Sequence, residues 1–340
     1  EGAFPETARA AAPAGAAMLF AGAYTWRGWR APIWAALAAA LLALGYAISP
    51  QLFGASASGG VPLHGGLLIL ASTTTLLFGA SMMMARREGR ADFAEALQSA
   101  AIAAILISVF LLLRWFAAGA APILLDTLSE TGLQAAALML AGHALLPREG
   151  QDLGRIGAWR GHVLLGLGAL LTLVIVGLTA NPWWGGAPAR IDGPPLLDTA
   201  ALALLAPVAL SAWAAARLYA QNRNTARVYA VTAGGLALMW AFIEIRRMFH
   251  GEAMAAAPVG VLEGAVYALA GLAAAMAIAL TARVRLRVTP EARPFSQDLD
   301  LIARGAAWTA LIYAVIVLLV LRHPWWGVLS ADIDPVSGAF

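Results

Sequence analysis

Polar residues in this chain come in short clusters, and the stretches between them are apolar for about twenty residues at a time. Ten such runs fall at approximately Ala8–Trp26, Ala31–Ile48, Gly65–Ala85, Leu97–Leu113, Thr131–Leu146, Gly161–Ala180, Leu197–Leu218, Val228–Ile245, Leu262–Ala282 and Leu301–Leu321. A hydrocarbon core roughly 30 Å thick needs about 20 helical residues to cross it. Period-2 alternation is absent, and lipid offers the backbone no partners, so each run reads as a helix. The pattern predicts an all-α, polytopic integral membrane protein with about ten transmembrane helices. The first run is the weakest, because Pro13 interrupts it, and the fifth is short.

Composition agrees with the pattern. Only 12% of the 340 residues are charged, 61% are hydrophobic and the mean hydropathy is +0.76, where a soluble domain carries about a quarter charged residues. The basic residues are all Arg, since no Lys occurs, and they sit singly or in small groups at the ends of apolar runs. That distribution argues against nucleic acid as a partner and for the bilayer. With no Cys there is neither a disulfide framework nor a thiolate.

The arginines also orient the chain. Loops on one side hold Arg27, Arg30, Arg86, Arg87, Arg90, Arg148, Arg155, Arg160, Arg217, Arg223, Arg227, Arg283, Arg285, Arg287, Arg293 and Arg304, and the other six lie on the opposite side. Basic loops stay cytoplasmic. Residue 1 and the loop "NPWWGGAPARID", Asn181 to Asp192, are therefore expected outside a bacterial cytoplasmic membrane.

That loop recurs as "HPWWGVLSADID", His323 to Asp334, with seven of eleven positions shared from the proline onward at an offset of 142. At an offset of 133, Arg114, Phe116 and Glu130 meet Arg247, Phe249 and Glu263. A repeat of four helices explains both. An even number of spans makes the units parallel rather than inverted. The expected organisation is the last helix of a preceding unit (1–30), two four-helix units (31–148 and 149–290) and the start of a further unit (291–340). Such an array begins and ends mid-unit, as a portion of a longer chain would.

The stretch "FIEIRRMFHGE", Phe242 to Glu252, followed by "EGAVYALAG", Glu263 to Gly271, resembles DUF2339, a family of bacterial polytopic membrane proteins of unknown function. Glu244, Arg246, Arg247, Phe249, His250, Gly251, Glu263 and Tyr267 occupy the matching positions, and the proline-and-aromatic loop preceding the segment Pro194 to Leu210 resembles the family as well. The resemblance spans about residues 150–340. It implies architecture and assigns no activity.

Ionisable residues at span ends are the first candidates for function. Consecutive antiparallel helices would let Glu263 face Arg247, and Glu130 face Arg114, as ion pairs in the outer leaflet. Such pairs pin helix ends; the alternative use of Arg246 and Arg247 is to hold an anionic headgroup or sugar phosphate. Trp183, Trp184, Trp325 and Trp326 suit the headgroup layer as interfacial anchors. With Asp192 or Asp334 they also have the chemistry of a glycan- or lipid-binding surface, since rings stack on apolar faces and carboxylates accept hydroxyl protons. The five histidines show no helical metal-ligand spacing, so no metal or cofactor is expected. Three readings follow: a non-enzymatic envelope scaffold or binding protein that engages a periplasmic protein or glycan through its outer Trp and Pro loops; a transporter or lipid or glycan flippase, which needs a polar cleft; and a membrane-embedded enzyme acting on a lipid-linked glycan, which needs converging acids.

Overall fold

The computed structural model describes residues 10–48, 63–86, 91–115, 127–147, 153–183, 191–251, 254–255, 259–288 and 293–316. Every regular element among them is helical. We number them α1 (Ala11–Arg27), α2 (Ala31–Ala47), α3 (Leu63–Ala85), α4 (Ala91–Trp115), α5 (Thr127–Leu145), α6 (Arg155–Leu171, continued by a π-helical segment over Thr172–Thr179), α7 (Thr199–Leu218), α8 (Arg223–His250), α9 (Val261–Val288) and α10 (Arg293–Ala314). Each apolar run of the sequence has a helix, and several helices outrun their apolar stretch to carry charged ends. Pro13 does not break α1. It lies in the first turn, where a missing N–H costs no helical bond.

Among the described residues, six segments are long and apolar enough to cross a membrane: His64–Ala85, Ala91–Trp115, Arg155–Thr179, Thr199–Leu218, Arg223–His250 and Val261–Val284. Ala31–Ala47 is apolar but shorter, and its 17 residues reach only about 25 Å at 1.5 Å each. Ten helices thus answer the ten apolar runs, and six of them meet both the length and the hydropathy of a span among the described residues.

The chain divides into two compact units. The first comprises Glu1–Asn181 and Thr199–Leu236, the second Pro182–Asp198 and Ala237–Phe340. In the first, small residues let backbones approach, which matters where lipid removes the hydrophobic drive between helices. Ala14, Ala17 and Ala21 of α1 are buried with Ala36, Ala40 and Ala43 of α2, beside Leu77, Met84 and Leu97. Helices α5 and α6 touch backbone to backbone: a Cβ on Gly142 would stand 2.9 Å from the Gly161 carbonyl oxygen. A Cβ on Gly132 would lie 2.3 Å from the Ala203 Cα of α7, so no other residue fits there. In the second unit α9 packs on α10, with Gly271 against Ala310.

Candidate functional site

The end of α8 carries the densest set of buried charges, and helical geometry sorts them. Successive residues turn by about 100°. Arg246 and His250, four apart, share one face; Glu244 and Arg247, three apart, share another.

On the first face, Arg246 Nη1 donates to Glu263 Oε1 at 2.9 Å and to Oε2 at 3.0 Å. His250 Nε2 lies 2.8 Å from the same Oε2, and the Tyr267 hydroxyl donates to Oε1 at 2.7 Å. The rest of the guanidinium is spent on the Met254 carbonyl, which accepts from Nε at 2.9 Å and Nη2 at 2.6 Å. The Trp183 ring lies beneath the guanidinium at 5.7 Å and meets Tyr267 edge-on, a cation–π arrangement. The Arg246 and Glu263 side chains are only 6% and 1% exposed. A charge pair this dry persists because its hydrogen-bonding capacity is filled.

On the second face, Arg247 pairs with Asp198 through Nη1 and donates from Nη2 to the Gly193 carbonyl at 2.5 Å. Glu244 Oε2 accepts the Leu196 N–H at 3.0 Å, and the Asp198 carboxyl lies within hydrogen-bonding reach of Glu244. Glu244 is 2% exposed, and its Oε1 has no donor among the described residues. Three anchors thus hold the loop before α7. Its backbone is strained to meet them: Leu196 has φ of +71°, and Gly193, at +110°, takes a conformation that side chains resist.

The first unit has a simpler corner. Arg114, at the end of α4, donates to Glu130 Oε2 at 2.8 Å, and Gln134 donates to Oε1 at 2.9 Å. Arg114 is 51% exposed. Two further contacts brace this unit. His143 stacks on Trp213 at 4.1 Å and bonds the Leu210 carbonyl at 2.8 Å. The Glu95 carboxylate accepts the Gly154 and Gly157 N–H groups at 2.7 and 2.8 Å, satisfying donors that the start of α6 leaves open.

One pairing expected from the sequence is corrected. Glu263 belongs to Arg246, not to Arg247, because the turn between adjacent residues aims Arg247 at the loop before α7 instead of at α9. Trp183 lies against the Arg246–Tyr267 cluster, and Asp192 is exposed on the anchored loop. Trp184, Trp325, Trp326 and Asp334 lie outside the described residues. Asp198 was not singled out from the sequence, although Asp198-Thr199 opens α7 much as Glu130-Thr131 lies at the start of α5. Among the described residues, no three His, Asp or Glu side chains gather closely enough to hold a metal ion.

Six long apolar helices, buried charges confined to helix ends and close packing through Ala and Gly define a multi-pass helical membrane protein. Residues 5–289 match the family DUF2339, described as a predicted membrane protein, and the chain belongs to that family. Comparison with curated proteins and with solved structures gave no match.

Proposed function

We propose that the chain is a non-enzymatic scaffold or binding protein of the bacterial cytoplasmic membrane, presenting its outer loops to a periplasmic protein or glycan. In this reading all ten helices cross, in tandem parallel four-helix units over 31–148 and 149–290, flanked by parts of units at 1–30 and 291–340. Residue 1 and the Trp loops face outward, and the arginine-rich loops are cytoplasmic.

The observation that carries it is the use made of Arg246 and Arg247. Their guanidinium groups are engaged with Glu263, Asp198 and two backbone carbonyls, so they hold loops in place. A fixed loop that exposes Asp192 is a preorganised surface. The flippase or transporter reading draws less support: along α5, Gln134 and His143 are separated only by Ala, Leu, Met and Gly, about 13 Å without a polar side chain. The enzyme reading needs an acid that reaches substrate, and Glu244 and Glu263 are almost fully buried.

Because the chain lacks Cys, single cysteines report topology without background. An impermeant maleimide added to spheroplasts should label Asp192→Cys and spare Gln221→Cys; the reverse pattern overturns the orientation. For the role itself, the native complex should retain a periplasmic protein or glycan through the residue-192 loop. Solute flux through the purified chain in vesicles would favour the transporter instead.

A further inference from the structure

A groove of about 850 Å³ lies in the first unit between α6 and the start of α8, a volume typical of ligand sites. We propose that it binds one anionic glycerophospholipid from the leaflet at the arginine-rich end of these helices. The headgroup would lie at Asn222–Thr225, with an acyl chain along Gly166 and Gly235.

Length supports a lipid. The groove runs from Trp159 to Leu173 on one wall and from Asn222 to Leu236 on the other, about 21 Å on each at helical rise. Half a bilayer, headgroups included, is about 20–22 Å thick. The groove therefore matches one leaflet, from headgroup layer to midplane.

Polarity runs in the same direction. Trp159, His162, Asn222, Asn224, Thr225 and Tyr229 line one end, and only Leu, Val, Ala, Gly and Thr232 line the remainder. His162 Nδ1 and the Tyr229 hydroxyl meet at 3.4 Å and tie the walls together at the polar end. Past them, Gly166 and Gly235 face open space: a Cβ added to either meets nothing within 4 Å. These two glycines lie on the groove wall rather than at a helix contact within the unit. Val163, Leu170 and Val228 are more than half exposed, so the trough opens sideways, and on spanning helices that opening faces hydrocarbon.

Charge selects the headgroup. Arg155 opens α6 and Arg223 and Arg227 lie in the first turns of α8, the helix ends at which the polar lining sits; Arg227 Nη1 donates to Asn224 Oδ1 at 3.5 Å, and among the described residues no Asp or Glu lines the groove. A phosphate there gains cationic neighbours together with amide and hydroxyl donors.

The test is photolabelling of the full chain in vesicles of phosphatidylethanolamine with a minor fraction of phosphatidylglycerol bearing a diazirine in one acyl chain. We expect adducts concentrated in peptides 158–173 and 222–236, competed by unlabelled phosphatidylglycerol but not by phosphatidylcholine. Gly235→Leu, which fills the trough, should lower groove labelling about tenfold while adducts at exposed Leu272 and Met276 persist. Asn224→Asp leaves the groove open and sets a negative charge at the headgroup, so it should lower labelling without unfolding the chain. Uniform labelling that neither variant changes overturns the proposal. So does efficient disulfide dimerisation of Val163→Cys in membranes, which would seat a second copy of the chain in the groove.

Discussion

Laid over each other at the offset of 133, the corner at the end of α4 and the one at the end of α8 share a carboxylate in the first turn of the next helix and a donor four residues beyond it. Glu130 and Gln134 stand in one, Glu263 and Tyr267 in the other, and in both the donor bonds Oε1. The difference lies on the preceding helix. Leu111, Leu113 and Arg114 occupy the places of Glu244, Arg246 and Arg247. Where the first corner has two leucines the second has a carboxylate and a guanidinium, and the ion pairs differ accordingly: Arg114 serves its own glutamate, whereas Arg247 turns to Asp198 and leaves Glu263 to Arg246. The first corner is a half-exposed helix staple. The second is buried and ties two loops as well as a helix. The two corners share one carboxylate-and-donor frame, and the second adds side chains that fix the loops beside it.

The largest effect should come from Arg246→Met. It leaves Glu263 charged, buried and short of donors, and removing one partner of a buried pair costs about 3–5 kcal/mol. Reversible unfolding in mixed micelles should show that loss, together with faster proteolysis next to Met254, whose carbonyl Arg246 holds. A change below about 1 kcal/mol would make the second corner no different from the first. Tyr267→Phe comes next. It deletes a neutral donor to a buried carboxylate, worth about 1.5–3 kcal/mol, and the same unfolding assay reads it; wild-type stability would mean that Arg246 and His250 suffice.

Glu244→Gln should have a smaller effect of opposite sign. The Glu244 and Asp198 carboxyls are neighbours, and Glu244 Oε1 receives no hydrogen bond among the described residues. An amide supplies the missing donor and keeps the acceptor for Leu196. Stability should rise by up to about 1 kcal/mol. A loss would show that the second carboxylate itself holds the loop, and would separate the two corners further.

The helices were legible because burial in lipid writes itself into long apolar runs, and the carboxylate at the start of α5 or α9 because an acid directly before such a run is conspicuous. Choosing between Arg246 and Arg247 was not possible from spacing. It depends on the rotational phase of α8, and adjacent residues differ by about 100°. Asp198 reaches Arg247 across 49 residues, and Glu95 reaches Gly154 and Gly157 across 59 and 62. Tertiary closure sets such partners, and no local pattern records it. Which helices cross is harder to read for a related reason. Apolar character identifies helices, yet a 17-residue helix such as α1 or α2 falls short of the bilayer unless it sits where the membrane thins.

Arg114→Met is the mildest test and closes the comparison. Its guanidinium is half in solvent, where the Coulomb gain is weak and ordering a long side chain costs entropy, so the pair is worth about 0–1 kcal/mol. Glu130 keeps Gln134 as a donor after the change. Unfolding in micelles should therefore barely move, and raising the salt from low to molar should weaken the native pair while leaving Arg246–Glu263 almost untouched, since buried pairs are screened far less. If Arg114→Met destabilises as strongly as Arg246→Met, the two corners do the same structural work, and Glu244 and Arg246 must be explained by something other than the anchoring of the loops beside them.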